Sequence, residues 1–280
     1  MVQQLIVPVD DSPDSWRAVD VALALAARLQ SGVHLVHVTP DPNDARDADA
    51  EIQRQLQRRG PIAVEVSVEV RLTIGTVASE LEAVLALHAD AVVLMASHGK
   101  GRSAAIVGSV TEDLLQRSFG PIILVGPLVT ADDFRGPIMA TVDGSPESEA
   151  ALPLAAAWAI ELGTTPWVLH VSDPSLAGGN SVSESSYPAG LAHELRLRTG
   201  RPAEFDELHS GHPDRAVADF ASRHDASLIV ASSHGRSGLS RITLGSVTAG
   251  FVRHATCPVV VIRLPHSDRA DADAGAQQRM

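Results

Sequence analysis

The sequence predicts an α/β protein of two tandem domains, each a five-stranded, doubly wound parallel sheet flanked by helices. Three observations support this prediction. The chain has 280 residues, which is enough for two domains of ordinary size. Short, wholly apolar segments alternate with helical ones, as is typical of parallel sheets that are covered on both faces. The second half of the chain also repeats the first, motif by motif and in the same order.

The internal repeat defines the predicted domains. Residues 8–13, with the sequence PVDDSP, recur as TVDGSP at 141–146, an offset of 133. GSVT at 108–111 returns at 245–248 with an offset of 137, a drift that loop insertions explain. From this correspondence we predict homologous domains at 1–128 and 137–264, a short join at 129–136, and a polar, disordered tail at 265–280.

The first elements of each repeat are a strand and a helix. Residues 5–9 are apolar and largely β-branched, as buried strands often are. The Ser-Pro pair at 12–13 supplies an N-cap and a first helical position at which the missing backbone N–H of proline costs nothing. Trp16, Leu23 and Ala27 follow at helical spacing, so we expect them on the buried face of a helix.

The remaining elements continue the same alternation. Strands are expected at 33–38, 64–72, 91–95 and 122–125, with helices at 77–87 and from Ser109 onward. The second repeat gives the same order, from a strand at 138–142 to a strand at 259–262. Residues 41–60 and 174–200 differ in length and content between the repeats, so we expect variable surface segments there.

Composition excludes several classes of protein. With 45% hydrophobic and 20% charged residues, the chain is neither disordered nor fibrous. Its apolar runs are too short for a membrane-spanning helix, and its first residues do not resemble a secretory signal. The single cysteine, Cys257, excludes an internal disulfide, and we expect it to be a small buried apolar residue. We therefore expect a cytoplasmic protein that binds no membrane.

The charge of the chain argues against nucleic-acid binding. A net charge of −12 leaves little capacity to neutralise a phosphate backbone. One basic residue is nevertheless unusual in its position. Lys100 is the single lysine of the sequence and lies between two glycines.

Polar residues at the strand ends indicate a ligand site. In an open parallel sheet, ligands bind beyond the carboxyl ends of the strands, where the strand order reverses. Asp10 and Asp143 end the first strand of each repeat, and the Gly-Ser pairs at 108–109 and 245–246 open a helix after the fourth. Helix N-terminal amides, a serine hydroxyl and glycines together form an anion site. We therefore predict a mononucleotide between strands one and four.

Other chemistries fit the sequence less well. It contains no Walker loop, and the dinucleotide-like pattern at 99–104 is not repeated in the second half. Ser97 and His98 resemble half of a hydrolytic triad, but neighbours on an extended segment point to opposite sides. Asp10 and Asp143 have a structural alternative, which is to help cap the following helix. We predict no catalytic residue and no metal site.

These motifs carry a resemblance to a known family, because residues 1–264 resemble a tandem universal stress protein. The resemblance implies a Rossmann-like fold of the adenine nucleotide alpha hydrolase type. Nucleotide-binding members carry G-x-x-G, nine residues, and then G-[ST]. The second repeat fits, except that Ser232 replaces the leading glycine. The first repeat has Ala96 at that position and a gap of only eight residues.

The resemblance implies that both sites bind ATP, alone or with Mg²⁺. The contacts would come from the first-strand aspartate, the valine that ends strand two, and the glycine loop with its following cation. In the first repeat the implied nucleotide-binding residues are Pro8, Val9, Asp10, Val38, Ala96, His98, Gly99, Lys100, Gly108, Ser109, Val110 and Thr111. In the second repeat they are Thr141, Val142, Asp143, Val171, Ser232, His234, Gly235, Arg236, Gly245, Ser246, Val247 and Thr248.

The implied function is that of a non-catalytic regulator of the stress response. A slow ATPase and a nucleotide-free interaction scaffold with vestigial pockets are the alternatives. The final strands, at 122–125 and 259–262, are candidates for edge-to-edge pairing, which would make the chain an internal pseudo-dimer. The same sequence is compatible with a homodimer of two chains.

Overall fold

The computed structural model describes residues 2–88, 90–98, 107–117, 120–175, 186–233 and 244–263. Across these ranges the chain forms ten strands and nine helices. The strands are β1 Gln4–Pro8, β2 Gly32–Thr39, β3 Val66–Leu72, β4 Ala91–Ala96, β5 Ile122–Val125, β6 Ile138–Val142, β7 Pro166–Ser172, β8 Glu204–His209, β9 Leu228–Ser232 and β10 Val259–Ile262. The helices are α1 Pro13–Leu29, α2 Pro42–Arg58, α3 Val77–Leu87, α4 Ser109–Arg117, α5 Pro146–Glu149, α6 Ala151–Leu162, α7 Ser186–Thr199, α8 Pro213–Arg223 and α9 Ser246–His254.

All ten strands belong to one sheet, in the order β3-β2-β1-β4-β5-β10-β9-β6-β7-β8. Pairing within each repeat is parallel, and the order 3-2-1-4-5 reverses between β1 and β4, which confirms the doubly wound α/β prediction. The two halves meet where β5 and β10 pair antiparallel, with Val260 opposite Ile123. We call this pairing the seam.

The first helix begins as the sequence predicts. Ser12 is its N-cap and accepts a hydrogen bond from the Ser15 backbone N–H at 3.2 Å. Its buried face differs by a fraction of a turn from the predicted one. Ala22 and Leu25 are fully buried, whereas Trp16 is only partly buried and Ala27 is exposed.

The hydrophobic core forms two layers, one on each face of the sheet. One layer contains Leu5 and Val7 together with residues of α1, α2, α6 and α7. The other contains Ile6 together with residues of α3, α4, α8 and α9. This division follows from the alternation of side chains along a strand. Each layer includes residues of both repeats, so the core is continuous across the seam.

The segments at 41–60 and 174–200 are not simply variable surface, which corrects the sequence interpretation. Residues 42–58 form α2, which buries Ala48, Ile52 and Leu56 at a spacing of four residues. Residues 186–199 form α7, which buries Ala192 and Leu195. The many charged residues of α2 obscured this stripe, because three apolar residues suffice to bury one face of a helix.

The join at 129–136 is anchored in the core by two residues. Val129 is 1% exposed and Phe134 is fully buried, although Phe134 has a backbone φ of 52°. Gly136 closes the segment tightly, because a Cβ at that position would lie 1.7 Å from the carbonyl oxygen of Asp225. The tail predicted at 265–280 lies outside the described residues. No helix in the described ranges is long and apolar enough to cross a membrane.

Contacts across the seam use the ends of helices. Arg28 of α1 donates to the carbonyl oxygen of Leu162, at the end of α6, at 2.6 Å. Arg263, directly after β10, donates to the carbonyl oxygen of Leu115, near the end of α4, at 3.2 Å. Positive charge at a helix C-terminus complements the helix dipole, so each arginine joins the repeats favourably.

Candidate functional site

Each repeat has a pocket at the switch point of its half-sheet. The first pocket, of about 300 Å³, lies at the carboxyl ends of β1 and β4, and the second, of about 280 Å³, lies at those of β6 and β9. The first brings together the sequence-selected residues Pro8, Val9, Asp10, Val38, Ala96, His98, Gly108, Ser109, Val110 and Thr111. The second brings together Thr141, Val142, Asp143, Val171, Ser232, Gly245, Ser246, Val247 and Thr248. Gly99, Lys100, His234, Gly235 and Arg236 lie outside the described residues.

The first-strand aspartates organise the start of the next helix. Asp10 Oδ1 accepts hydrogen bonds from the backbone N–H of Ser12, at 2.8 Å, and from its hydroxyl. Asp143 Oδ1 makes the same bonds to Ser145, at 3.0 and 2.6 Å. The capping alternative is therefore correct for one carboxylate oxygen of each residue, while both side chains also line the pockets.

Two serines that the sequence analysis did not select also line the pockets. The Ser15 hydroxyl donates to the carbonyl oxygen of Asp10 at 2.7 Å, and Ser148 occupies the equivalent place beneath Asp143. The sequence does contain a signal that could have identified these two serines. Asp-x-Ser-Pro-x-Ser occurs at 10–15 and again at 143–148, so the last serine is repeated as faithfully as the aspartate.

In each repeat a histidine binds the backbone next to the pocket aspartate. Nδ1 of His37 lies 2.9 Å from the carbonyl oxygen of Val9, and Nδ1 of His170 lies 2.9 Å from that of Val142. A carbonyl oxygen can only accept, so Nδ1 carries the proton in both residues. These bonds hold in place the backbone that directly precedes Asp10 and Asp143.

The glycine loops start and end in the same way in both repeats. The Gly108 backbone N–H donates to the carbonyl oxygen of Ser97, and that of Gly245 donates to Ser233, both at 2.8 Å. The sequence between these anchors is one residue shorter in the first repeat. The deletion is therefore confined to the loop itself, and the helix after it begins at an equivalent place.

Both pockets contain a helix N-terminus. In α9 the first backbone bond within the helix runs from Ala249 to the carbonyl oxygen of Gly245, at 2.8 Å. No described side chain caps this helix start. The backbone amides of residues 246–248 thus make no such bond with the preceding turn, and they provide the partial positive charge that attracts an anion.

The two pockets differ in their inner walls. Met95 in the first corresponds to Ala231 in the second, and the sulfur of Met95 lies 3.8 Å from the Thr111 hydroxyl. In the second pocket the Thr248 hydroxyl instead donates to the carbonyl oxygen of Ser232 at 2.9 Å. Pockets of similar volume are therefore lined by different side chains.

The predicted orientation of the Ser97 and His98 side chains is wrong. The Ser97 hydroxyl lies 2.7 Å from His98 Nδ1, so these neighbours do not point to opposite sides. Ser97 is nevertheless only 1% exposed, which leaves its oxygen out of reach of a substrate. The described residues also contain no group of three or more His, Cys, Asp or Glu side chains that could hold a metal ion.

Comparison with known proteins assigns the family. A model of the universal stress protein family matches the chain twice, over residues 1–126 and 135–263. The chain belongs to the universal stress protein family. The tandem arrangement predicted from the repeat is confirmed by this double match.

Individual universal stress proteins support the same assignment. The chain is 31% identical over 187 residues to one from Mycolicibacterium smegmatis and 30% identical over 185 residues to one from Mycobacterium tuberculosis. Each of these matches spans 61% of this chain and 61% of the relative. A universal stress protein from Archaeoglobus fulgidus has the same fold, with a TM-score of 0.68 at 17% identity over 94% of this chain and 99% of its own.

Proposed function

We propose that this universal stress protein binds an adenine nucleotide, ATP, in each of its two pockets and acts as a non-catalytic regulator of the stress response. One observation carries the proposal. At both switch points, a carboxylate at the end of the first strand faces the same cavity as the N-terminus of the helix after the glycine loop. A ligand with a hydrogen-bonding base at one end and phosphates at the other matches this arrangement.

Each end of the nucleotide would have distinct partners. The base would lie against Val38 or Val171 and within reach of Asp10 or Asp143, at the ends of the first two strands. The phosphates would lie at the first turn of α4 or α9, where backbone amides donate hydrogen bonds. Mg²⁺, where present, would be held mainly by the phosphates, with few protein ligands.

We propose binding without turnover because the pockets offer few catalytic groups. Among the described lining residues, Asp10 and Asp143 are the only carboxylates, and Oδ1 of each is committed to the helix start. Release of inorganic phosphate from ATP and Mg²⁺ should therefore stay at background with purified protein. Steady phosphate release that Asp10→Asn or Asp143→Asn removes would instead support the slow ATPase.

Calorimetry tests nucleotide binding directly. Titration with ATP should show two sites per chain, and Gly245→Trp should abolish one of them by filling the second pocket. Gly245 has a φ of −55° and a ψ of 148°, which a tryptophan also adopts, so the variant should fold. Gly190→Trp is the matched control, because Gly190 is exposed on α7 with nothing within 4 Å of a Cβ. Absence of binding of any adenine nucleotide at millimolar concentration would favour the nucleotide-free scaffold.

We propose in addition that the protein is cytoplasmic and that its repeats act as an internal pseudo-dimer, with the seam in the place of a subunit interface. The antiparallel pairing of β5 and β10 supports this arrangement. Light scattering distinguishes a single chain, of 29.4 kDa, from a homodimer of twice that mass.

A further inference from the structure

A third cavity, of about 430 Å³, lies in the first repeat between α1 and α2. His37 lines it, whereas Val36 and Val38 line the first pocket. Because successive side chains of a strand point to opposite faces of the sheet, this cavity lies on the other side of β2 from the first pocket. We call it the α1–α2 cavity. Val9 and Asp10 line both cavities, and they are the only residues of the proposed nucleotide site among the described lining of this one.

The α1–α2 cavity combines an apolar floor with acidic side chains. Ala48 and Ile52 of α2 are 8% and 4% exposed and line its inner part, and Trp16 of α1 adds an indole ring. Asp10, Asp11 and Glu51 also line it, and of these Asp11 is exposed at the surface. No lysine or arginine is among the described residues that line it. The lining therefore favours a ligand that is both apolar and positively charged.

Two arginines already contact groups that line this cavity. The Arg59 guanidinium lies 4.6 Å from the centre of the Trp16 ring, and the Arg54 guanidinium lies 3.0 Å from Glu51 Oε2. Both the indole ring and the carboxylate thus attract cations. A cation inside the cavity would meet the same groups with less competing water.

The second repeat fills the corresponding place with one of its own side chains. Tyr187 of α7 packs edge to face on His170, the counterpart of His37, with ring centres 5.3 Å apart. The Tyr187 hydroxyl donates to Glu149 Oε1 at 2.8 Å, and Glu149 is the counterpart of Trp16. Burial and this carboxylate raise the pKa of the Tyr187 hydroxyl, which therefore stays a hydrogen-bond donor at neutral pH.

We propose that the α1–α2 cavity is a binding site for a small aromatic amine. The ring of the amine takes the place that the Tyr187 ring has in the second repeat, over His37 and the apolar floor. Its ammonium group donates to the carboxylates of Asp11 and Glu51. In the second repeat a carboxylate accepts from a neutral hydroxyl, whereas Asp10, Asp11 and Glu51 all line the cavity of the first repeat, and charge-assisted hydrogen bonds favour a cation there.

Tyramine is a suitable probe, because it joins the phenol ring of tyrosine to a primary ammonium group. Calorimetric titration should give one site per chain, and tyramine should change the fluorescence of Trp16, a change that Trp16→Phe removes. 4-Hydroxyphenylacetate has the same ring with a carboxylate in place of the ammonium group, and it should bind at least about tenfold more weakly. Equal affinity for both compounds, or no tyramine binding at millimolar concentration, would overturn the proposal.

Two tryptophan variants on α2 locate the bound probe. Gln55 lines the α1–α2 cavity, so Gln55→Trp should block it and lower tyramine affinity by at least about tenfold. Gln53→Trp is the matched control, because Gln53 lies on the exposed side of α2 and does not line the cavity. Loss of affinity in both variants, or in neither, would show that tyramine binds elsewhere and would refute the proposed site.

A charge variant tests the role of the acidic side chains. Asp11→Asn keeps the size of the side chain and should weaken tyramine binding by about tenfold, the loss expected for one charge-assisted hydrogen bond. Unchanged affinity would contradict the assigned ammonium site. Neither Gln55 nor Gln53 lines a nucleotide pocket, so their variants should titrate with ATP like the unmodified protein. Tyramine and ATP binding can therefore succeed or fail independently.

Discussion

At the scale of single residues, one short motif performs several tasks in each repeat. Asp10 holds Ser12 through Oδ1, Ser12 caps α1, and Ser15 binds the backbone of Asp10. The same bonds recur around Asp143. A substitution of either aspartate therefore changes both the pocket and the start of a helix. For this reason, ligand affinity and stability should be measured together in any aspartate variant.

Burial suppresses the reactivity of the Cys257 thiol. Burial raises the pKa of the Cys257 thiol to about 12, so almost no thiolate exists at pH 8. We expect iodoacetamide to alkylate the native protein on the order of a thousandfold more slowly than the chain unfolded in urea. Mass spectrometry at timed intervals measures both rates. Comparable rates would mean that Cys257 is accessible in the native state.

At the scale of elements, the outermost strand of the first repeat carries a cluster of charges. Glu69 and Arg71 of β3 pair at 2.7 Å, and Arg71 also pairs with Glu80 of α3 at 2.9 Å. The Thr73 hydroxyl donates to Glu80 as well, at 2.9 Å. We call these four residues the Arg71 cluster. Charges on an edge strand discourage pairing with other chains, so the cluster both ties β3 to α3 and protects the edge.

The Arg71 cluster predicts a pH dependence of stability. Hydrogen bonds from Arg71 and Thr73 lower the pKa of Glu80 below its usual value of 4.5. Ionised Glu80 therefore adds stability above pH 4.5, and this contribution is lost as the pH falls through the lowered pKa. Glu80→Gln should reduce the free energy of unfolding at pH 7 and have progressively less effect toward pH 3.

Urea unfolding at several pH values measures this difference. Glu82→Gln, on the same helix but outside the Arg71 cluster, is the matched control. A Glu80→Gln deficit that stayed constant from pH 7 to pH 3 would exclude the ionised carboxylate as its cause.

Most elements could be predicted from the sequence, and the exceptions have physical reasons. Strands such as β4 are wholly apolar, and the repeat provided a second copy of each pattern. Helix α2 was missed because only Ala48, Ile52 and Leu56 mark its buried face among many charges. The pocket residues Ser15 and Ser148 were missed because their role depends on a turn that brings them back beneath the aspartates. The α1–α2 cavity depends on how two helices pack, which no local pattern encodes.

At the scale of the whole molecule, the join between the repeats is anchored in the shared core. Phe134 is fully buried in the layer that contains residues of both repeats. Arg28 and Arg263 connect the repeats at two further places. The two repeats should therefore unfold as one unit, because neither can lose its packing without exposing the other.

Substitution of Phe134 tests the importance of the join. Phe134→Ala should lower the free energy of unfolding by about 3–5 kcal/mol, the cost of removing a fully buried ring. Phe205→Ala is the matched control, because Phe205 lies on the outer strand β8 and is 37% exposed, and we expect a loss of about 1 kcal/mol or less. Urea unfolding monitored by circular dichroism gives both values. Equal, small losses would indicate that the join only tethers the repeats.

The seam allows its two sides to evolve separately. Gly126 and Arg263 occupy equivalent positions, directly after β5 and β10. A Cβ on Gly126 would lie 1.9 Å from the carbonyl oxygen of Val252, whereas Arg263 extends a long side chain to α4. In a symmetric dimer one gene would have to supply the same residue to both places. A fused duplicate is free of this restriction, so natural selection can change one side of the seam without changing the other.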